Sequence, residues 1–173
     1  IGREHELNLI PKPLLEPSCR LLTLTGPGGI GKTRLAIEVG RVLEPHFPDG
    51  VHFISLAGVA SPESIPPAVA DVLGLGFSGP ADQIVQLTNF LHEKKDLLIF
   101  DNMEHLLDGM DLLGGILQGT HHVKILVTSR EQLHLQWEWL FEVQGLPLPD
   151  ENEVSSPENN SAIQLFIQRA RQV

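Results

Sequence analysis

The sequence predicts an α/β domain built on a parallel sheet, and two observations carry that prediction. Short apolar runs of strand length alternate with longer segments whose apolar residues recur at helical spacing. Residues 20–25 (Arg-Leu-Leu-Thr-Leu-Thr) read as a strand buried on both faces, as strands of parallel sheets are. Strand–helix–strand order implies right-handed crossovers, and ligands of such sheets bind beyond the carboxyl ends of the strands.

Composition agrees with one globular domain. The chain has 173 residues, 42% hydrophobic and 20% charged, enough for a sizeable core. Its formal net charge is −10. An acidic domain gains little from a polyanion's field, so direct nucleic-acid binding is disfavoured. The one cysteine, Cys19, excludes a disulfide framework and a cysteine-based metal site, and is expected to be a free thiol in a reducing cytosol. No apolar run reaches about 18 residues, so no membrane span is expected. The N-terminus lacks a secretory pattern and begins without Met, inside what reads as a motif. A cytoplasmic piece of a longer protein is therefore expected.

In chain order, Pro11, Pro13 and Pro17 divide the first segment into a short helix and a loop. The strand at 20–25 leads into a glycine-rich turn at 26–31. A helix follows, with Leu35, Ala36, Val39, Val42 and Leu43 on one stripe and Arg34, Glu38 and Arg41 turned away. Arg34 and Glu38 are spaced to pair. Pro45 and Pro48 end this helix. Residues 51–55 form a second strand, and helices are expected over 63–73 and 81–92. A third strand occupies 96–101, helical sequence runs from 104 to 117, and a fourth strand occupies 123–128. Leu135, Trp137, Trp139, Phe141 and Val143 then alternate with more polar residues. That is the pattern of a strand near the sheet edge with one well-covered face, and both tryptophans are expected to pack in the core. Residues 145–160 are rich in Pro, Glu and Asn and read as a linker, and 161–173 as a final amphipathic helix. The expected organisation is thus an N-terminal segment (1–19), a core (20–144), a linker and a C-terminal helix, all in one domain.

Three motifs carry chemistry. Gly26, Pro27, Gly28, Gly29, Ile30, Gly31, Lys32 and Thr33 match G-x-x-x-x-G-K-[ST]. A phosphate chain needs a concave row of backbone N–H groups, free of bulky side chains, and gains from the positive end of a helix. Lys32 is expected to reach the β- and γ-phosphates and Thr33 to bind Mg²⁺, with Arg34 next in the expected contact set. The turn follows a buried strand and opens an amphipathic helix, which separates it from a chance glycine cluster.

Residues 97–101 end a strand in Asp101, the form of a Walker B element, whose carboxylate holds Mg²⁺ directly or through water. Asn102, rather than a second acid, comes next. Glu104 either polarises the attacking water or is a solvated first-turn carboxylate. The base stays open at this point, and slow hydrolysis is expected. Residues 126–130 place Arg130 just beyond the fourth strand, where a cation can contact a γ-phosphate. Asp101, Glu104 and Arg130 form the candidate catalytic set. The eight histidines are scattered and read as surface or loop residues, with His105 beside the end of the third strand.

Together these motifs resemble the nucleotide-binding domain of STAND signalling ATPases, an AAA+-related group of P-loop proteins. The chain is most similar to the NB-ARC-like ATPases of large bacterial transcriptional regulators. Ile1-Gly2-Arg3-Glu4 with Glu6 resembles that family's hhGRExE motif, whose backbone and arginine lie near the nucleotide base. Gly2 and Arg3 thereby join the expected contacts. The resemblance implies a three-layer P-loop NTPase fold with strand order 5-1-4-3-2, binding ATP or ADP with Mg²⁺. It implies a switch in which ADP holds a closed form and ATP permits assembly. The implied partners are nucleotide, other domains of a parent chain and a nucleotide-dependent homo-oligomer, with no membrane or nucleic acid bound by this piece. Gly145-Leu-Pro-Leu148 spells the family's GLPL, but it directly follows a strand and is read as a look-alike. The winged-helix part is then expected beyond Val173. Two rival functions stay open: an AAA+-type turnover ATPase doing mechanical work, and a nucleic-acid-binding module with a vestigial nucleotide site. A metabolite kinase is disfavoured, because the 12 Lys and Arg residues form no basic cluster suited to a lid.

Overall fold

The structure, a computed structural model, describes residues 2–146 and Gln164. Apart from Gln164, the expected C-terminal helix lies outside the described residues, as do most of the expected linker and the end of the Gly-Leu-Pro-Leu stretch. Five strands, β1 (Leu21–Thr25), β2 (Gly50–Ser55), β3 (Asp96–Asp101), β4 (Lys124–Ser129) and β5 (Glu138–Glu142), form one sheet in the order β2-β3-β4-β1-β5. Every pairing is parallel. This is the expected order 5-1-4-3-2 read from the other edge. Thr25 pairs with Ser129 and Glu142, and Ser55 with Asp101, so the carboxyl ends of all five strands lie along one rim.

Side-chain alternation sends each strand's residues to two cores. Leu21, Leu98, Phe100, Ile125 and Val127 pack on one face against helices α4 (Ile65–Leu73), α5 (Gln83–Leu91) and α6 (Met110–Gly119). Leu22, Leu24, Leu97, Ile99 and Leu126 face α1 (Glu4–Leu9), α2 (Pro11–Leu15) and α3 (Lys32–Leu43). The result is three layers, helices on both faces of the sheet. Each fully buried aliphatic side chain contributes about 1.5–3 kcal/mol relative to an exposed one. The α3 helix lies close on the sheet: a Cβ on Gly40 would stand 2.8 Å from Ile99 Cδ1. The α5 helix begins where Asp82 accepts from the backbone N–H of Ile84 (2.7 Å) and Val85 (3.3 Å).

The end of the sheet away from that rim is pinned by two cations. Arg20 donates to the carbonyls of Val123 (3.0 Å), Leu117 (3.0 Å) and Thr120 (2.9 Å), and to Thr120 Oγ1 (2.9 Å). It closes the carbonyl end of α6, which has no partners within the helix. Lys124 Nζ donates to the carbonyls of Glu16 and Cys19, each at 2.6 Å. Burial lowers the proton affinity of both cations.

Several expectations are corrected. Glu38 pairs with Arg41 (2.7 Å), not Arg34. Helical side chains lean toward the N-terminus, so Arg41 reaches back to Glu38 while Arg34 leans away from it. Val42, at the margin of its stripe, is half exposed. The helical run from 104 is broken. Asn102 takes a left-handed conformation (φ +69°), and 3₁₀ turns at Met103–His105 and Leu107–Gly109 precede α6. Neither tryptophan is a core residue: Trp137 is 37% and Trp139 44% exposed. Among the described residues β5 is an edge strand paired only with β1, and Val143, just past its end, is the buried member of the alternating set. No described helix is long and apolar enough to cross a membrane.

Candidate nucleotide site

The rim of strand ends carries the chemistry. β1 runs into the glycine turn, and the turn runs into α3. Gly26 sits at φ +148°, where a Cβ would stand 2.8 Å from the carbonyl oxygen of Val143, so only glycine fits beside β5. Gly31, at φ +98°, turns the chain into α3 and leaves the first helical N–H groups facing outward.

Lys32 opens α3 and curls back over the turn. Its Nζ donates to the carbonyls of Gly26 (2.6 Å) and Pro27 (3.0 Å). Burial pushes its proton affinity down. Glu104 and Asp101 pull it back up, and Arg130 pushes it down further. The carbonyl partners are neutral, so a phosphate oxygen makes the stronger, charge-assisted bond to this ammonium.

Thr33, the next residue, donates from Oγ1 to Asp101 Oδ1 at 2.7 Å. Thr128 donates to the same oxygen at 2.7 Å and accepts from the Asn102 N–H at 3.0 Å. Asp101, at the end of β3, is almost fully buried. Two hard oxygen donors, the Thr33 hydroxyl and the Asp101 carboxylate, thus converge at the mouth of the turn. That donor set suits Mg²⁺. Thr128 was missed in the sequence reading. Its only signal was a hydroxyl inside the apolar run of β4, one strand away from Asp101.

Glu104 lies in the 3₁₀ turn after Asn102, with its side chain 16% exposed. Its Oε1 is 3.0 Å from Arg130 Nε, and its Oε2 is buried with no partner among the described residues. Arg130 is 67% exposed and crosses the glycine turn: a Cβ on Gly28 would lie 3.5 Å from its Nη2. Glu104 is therefore not the solvated carboxylate that one reading allowed.

Arg3 works from the opposite side. It pairs with Glu6 and donates to the carbonyls of Ile30 (3.0 Å) and Gln144 (2.8 Å). It ties the glycine turn to the segment after β5. The Gly2 N–H donates to Glu4 (3.3 Å) at the start of α1, and Arg34 is exposed on α3. His105 is held between the Val59 carbonyl (3.0 Å) and the Asn102 side chain (3.3 Å). Among the described residues no group of three or more side chains could hold a metal by itself.

The NB-ARC domain, as a family, matches residues 3–134, a span that includes the glycine turn, Asp101 and Arg130. This chain belongs to the NB-ARC family. The motif-based resemblance to STAND-class P-loop ATPases agrees with that membership. The NB-ARC chain is 33% identical over 174 residues to an uncharacterised protein of Mycobacterium tuberculosis, matching 100% of itself and 41% of that relative. It is also 33% identical over 155 residues to a candidate HTH-type transcriptional regulator of the same organism, covering 89% of this chain and 16% of the regulator. The chain thus spans well under half the length of these relatives. Among solved structures, a STAND protein with a tetratricopeptide repeat sensor from Pyrococcus horikoshii shares the fold. The TM-score is 0.59 at 22% identity, over 96% of this chain and 27% of that one.

Proposed function

We propose that this NB-ARC domain is an ATP/ADP-operated switch with slow hydrolysis, working within a larger regulator of transcription. One observation carries the reading: Lys32, Thr33, Asp101 and Arg130 converge on a single glycine turn at the carboxyl ends of β1, β3 and β4. The N–H groups from Gly26 to Thr33 cradle the phosphates. Lys32 exchanges its two carbonyl partners for phosphate oxygens. Thr33 and Asp101 would hold Mg²⁺, which when bound offsets phosphate charge. Arg130 reports the γ-phosphate. Gly2, Arg3 and Arg34 line the outer rim toward the base and sugar. Regulation of transcription is supported by the HTH-type relative, and the partners are then other domains of the same longer chain and, with ATP, further copies of it.

Hydrolysis assigns the base to Glu104. The oxygen of a water bonds to the γ-phosphorus while a proton of that water passes to the Glu104 carboxylate. The bond from the γ-phosphorus to the bridging oxygen breaks, and ADP leaves with the electron pair. We expect about one ATP per minute or less, far below the roughly ten per second typical of enzymes. Asp101→Asn is expected to abolish this turnover and weaken Mg²⁺-dependent ATP binding about tenfold. Unchanged turnover in Asp101→Asn, measured as phosphate release, would overturn the assignment.

A further inference from the structure

We infer that the Glu104–Arg130 ion pair is an interlock: Arg130 can hold either Glu104 or a γ-phosphate, and the exchange of one for the other both senses ATP and releases the base. This rests on the nucleotide reading above and goes beyond it, because it couples two residues that the reading treats separately.

Five observations meet here. Glu104 is mostly buried and holds a cation through one oxygen only, at 3.0 Å from Arg130 Nε. Its other oxygen, buried, has no partner among the described residues. Among the described residues the Arg130 guanidinium meets one acid, Glu104, through Nε, and its Nη2 lies beside the glycine turn, 3.5 Å from where a Cβ on Gly28 would stand. Arg130 itself is two-thirds exposed, so its long side chain is free to swing a short distance without disturbing the core. Glu104, in contrast, is set by the turn after Asn102 and by the bonds of His105 to Asn102 and Val59, and stays in place.

Two anions then compete for one guanidinium. A planar fork engages one carboxylate or one phosphate face well, and a terminal phosphate carries the larger charge. When Arg130 moves to it, Glu104 is left with both oxygens unbonded beside the water that attacks. With ADP there is no competing anion at that place, and the pair stays closed.

A double-mutant cycle on nucleotide preference tests this. The ratio of affinities for a non-hydrolysable ATP analogue over ADP is measured, with Mg²⁺, for wild type, Arg130→Ala, Glu104→Gln and the double variant. An interlock makes wild type break the Glu104–Arg130 pair before Arg130 serves the γ-phosphate. Removing Arg130 therefore lowers the ATP preference more in the Glu104→Gln background than in wild type, by about fivefold, the worth of a partly exposed ion pair. If Arg130 instead bridged both anions at once, its loss would bare the Glu104 charge, and the larger drop would occur in wild type. An equal or larger drop in wild type overturns the interlock while leaving the nucleotide reading intact. A wild-type protein that binds neither nucleotide overturns both. Crystal structures of the two complexes give a second readout: the pair near 3 Å with ADP and open with the analogue, or, against the proposal, closed in both.

Discussion

Asp101 shows how much a single side chain can be made to do. One of its oxygens accepts from Thr33 and from Thr128, both at 2.7 Å, and Thr128 in turn accepts from the Asn102 N–H. The carboxylate is thus aimed by a neighbouring strand before any ligand arrives. The acid itself was readable from sequence, because a carboxylate ending an apolar strand downstream of a glycine turn has few structural uses. Thr128 was not, since its role depends on which strand lies next to β3. Cys19 is a simpler case. It is fully buried, and burial raises its thiol from 9.0 to about 11. The unfolded thiol ionises above its usual value while the folded one keeps its proton until about pH 11. The unfolded state therefore binds fewer protons in that window, and stability falls as pH rises. Lys32 and Lys124, whose proton affinities are lowered by burial, act in the opposite direction, and the Cys19 charge raises that of Lys124, so the difference between wild type and variant reads the thiol together with its coupling to Lys124. Urea unfolding of wild type and Cys19→Ala should show the variant gaining about 2 kcal/mol relative to wild type between pH 8 and pH 11. A constant difference over that range would mean the thiol is not shifted.

Elements are held in register by side chains that bond to distant carbonyls. Arg20 makes three such bonds at the start of β1, to Leu117, Thr120 and Val123, and a fourth to the Thr120 hydroxyl, and so joins α6 to β1 and β4. Arg3 joins the glycine turn to the end of β5 through Ile30 and Gln144. Neither clasp was legible in the sequence. A carbonyl acceptor carries no residue-type signal, and the partners of Arg20 lie about a hundred residues away in the chain. The strands and α3 were legible because burial on one or two faces imposes a period. The run after Asn102 was not, because a left-handed residue resets the helix and its apolar spacing survives the break. Arg20→Ala removes bonds to a charged donor and leaves the end of α6 open. It should cost about 3 kcal/mol in chemical unfolding. A cost below about 0.5 kcal/mol would reduce the clasp to a surface decoration.

At the scale of the whole molecule, the topology puts every strand's carboxyl end on one rim, where Arg3 binds, and puts Arg20 and Lys124 at the opposite end of the sheet. An α/β fold with both faces covered could be read from apolar periodicity. The strand order could not, because pairing between non-consecutive strands leaves no local trace. It followed from the family resemblance, and the sheet agrees with it. The tryptophans of β5 mark the limit of periodicity arguments: alternation is real, but an edge strand has less to bury against. The central claim is that the glycine turn between β1 and α3 binds nucleotide phosphates, with Lys32 as the main side-chain contact. Calorimetric titration of ADP and ATP with Mg²⁺ into wild type and Lys32→Ala tests it most directly. The account predicts one nucleotide per chain and a tenfold to roughly hundredfold loss of affinity in the variant, the worth of one or more charge-assisted bonds. Equal affinities, or no binding by wild type at millimolar nucleotide, would contradict it.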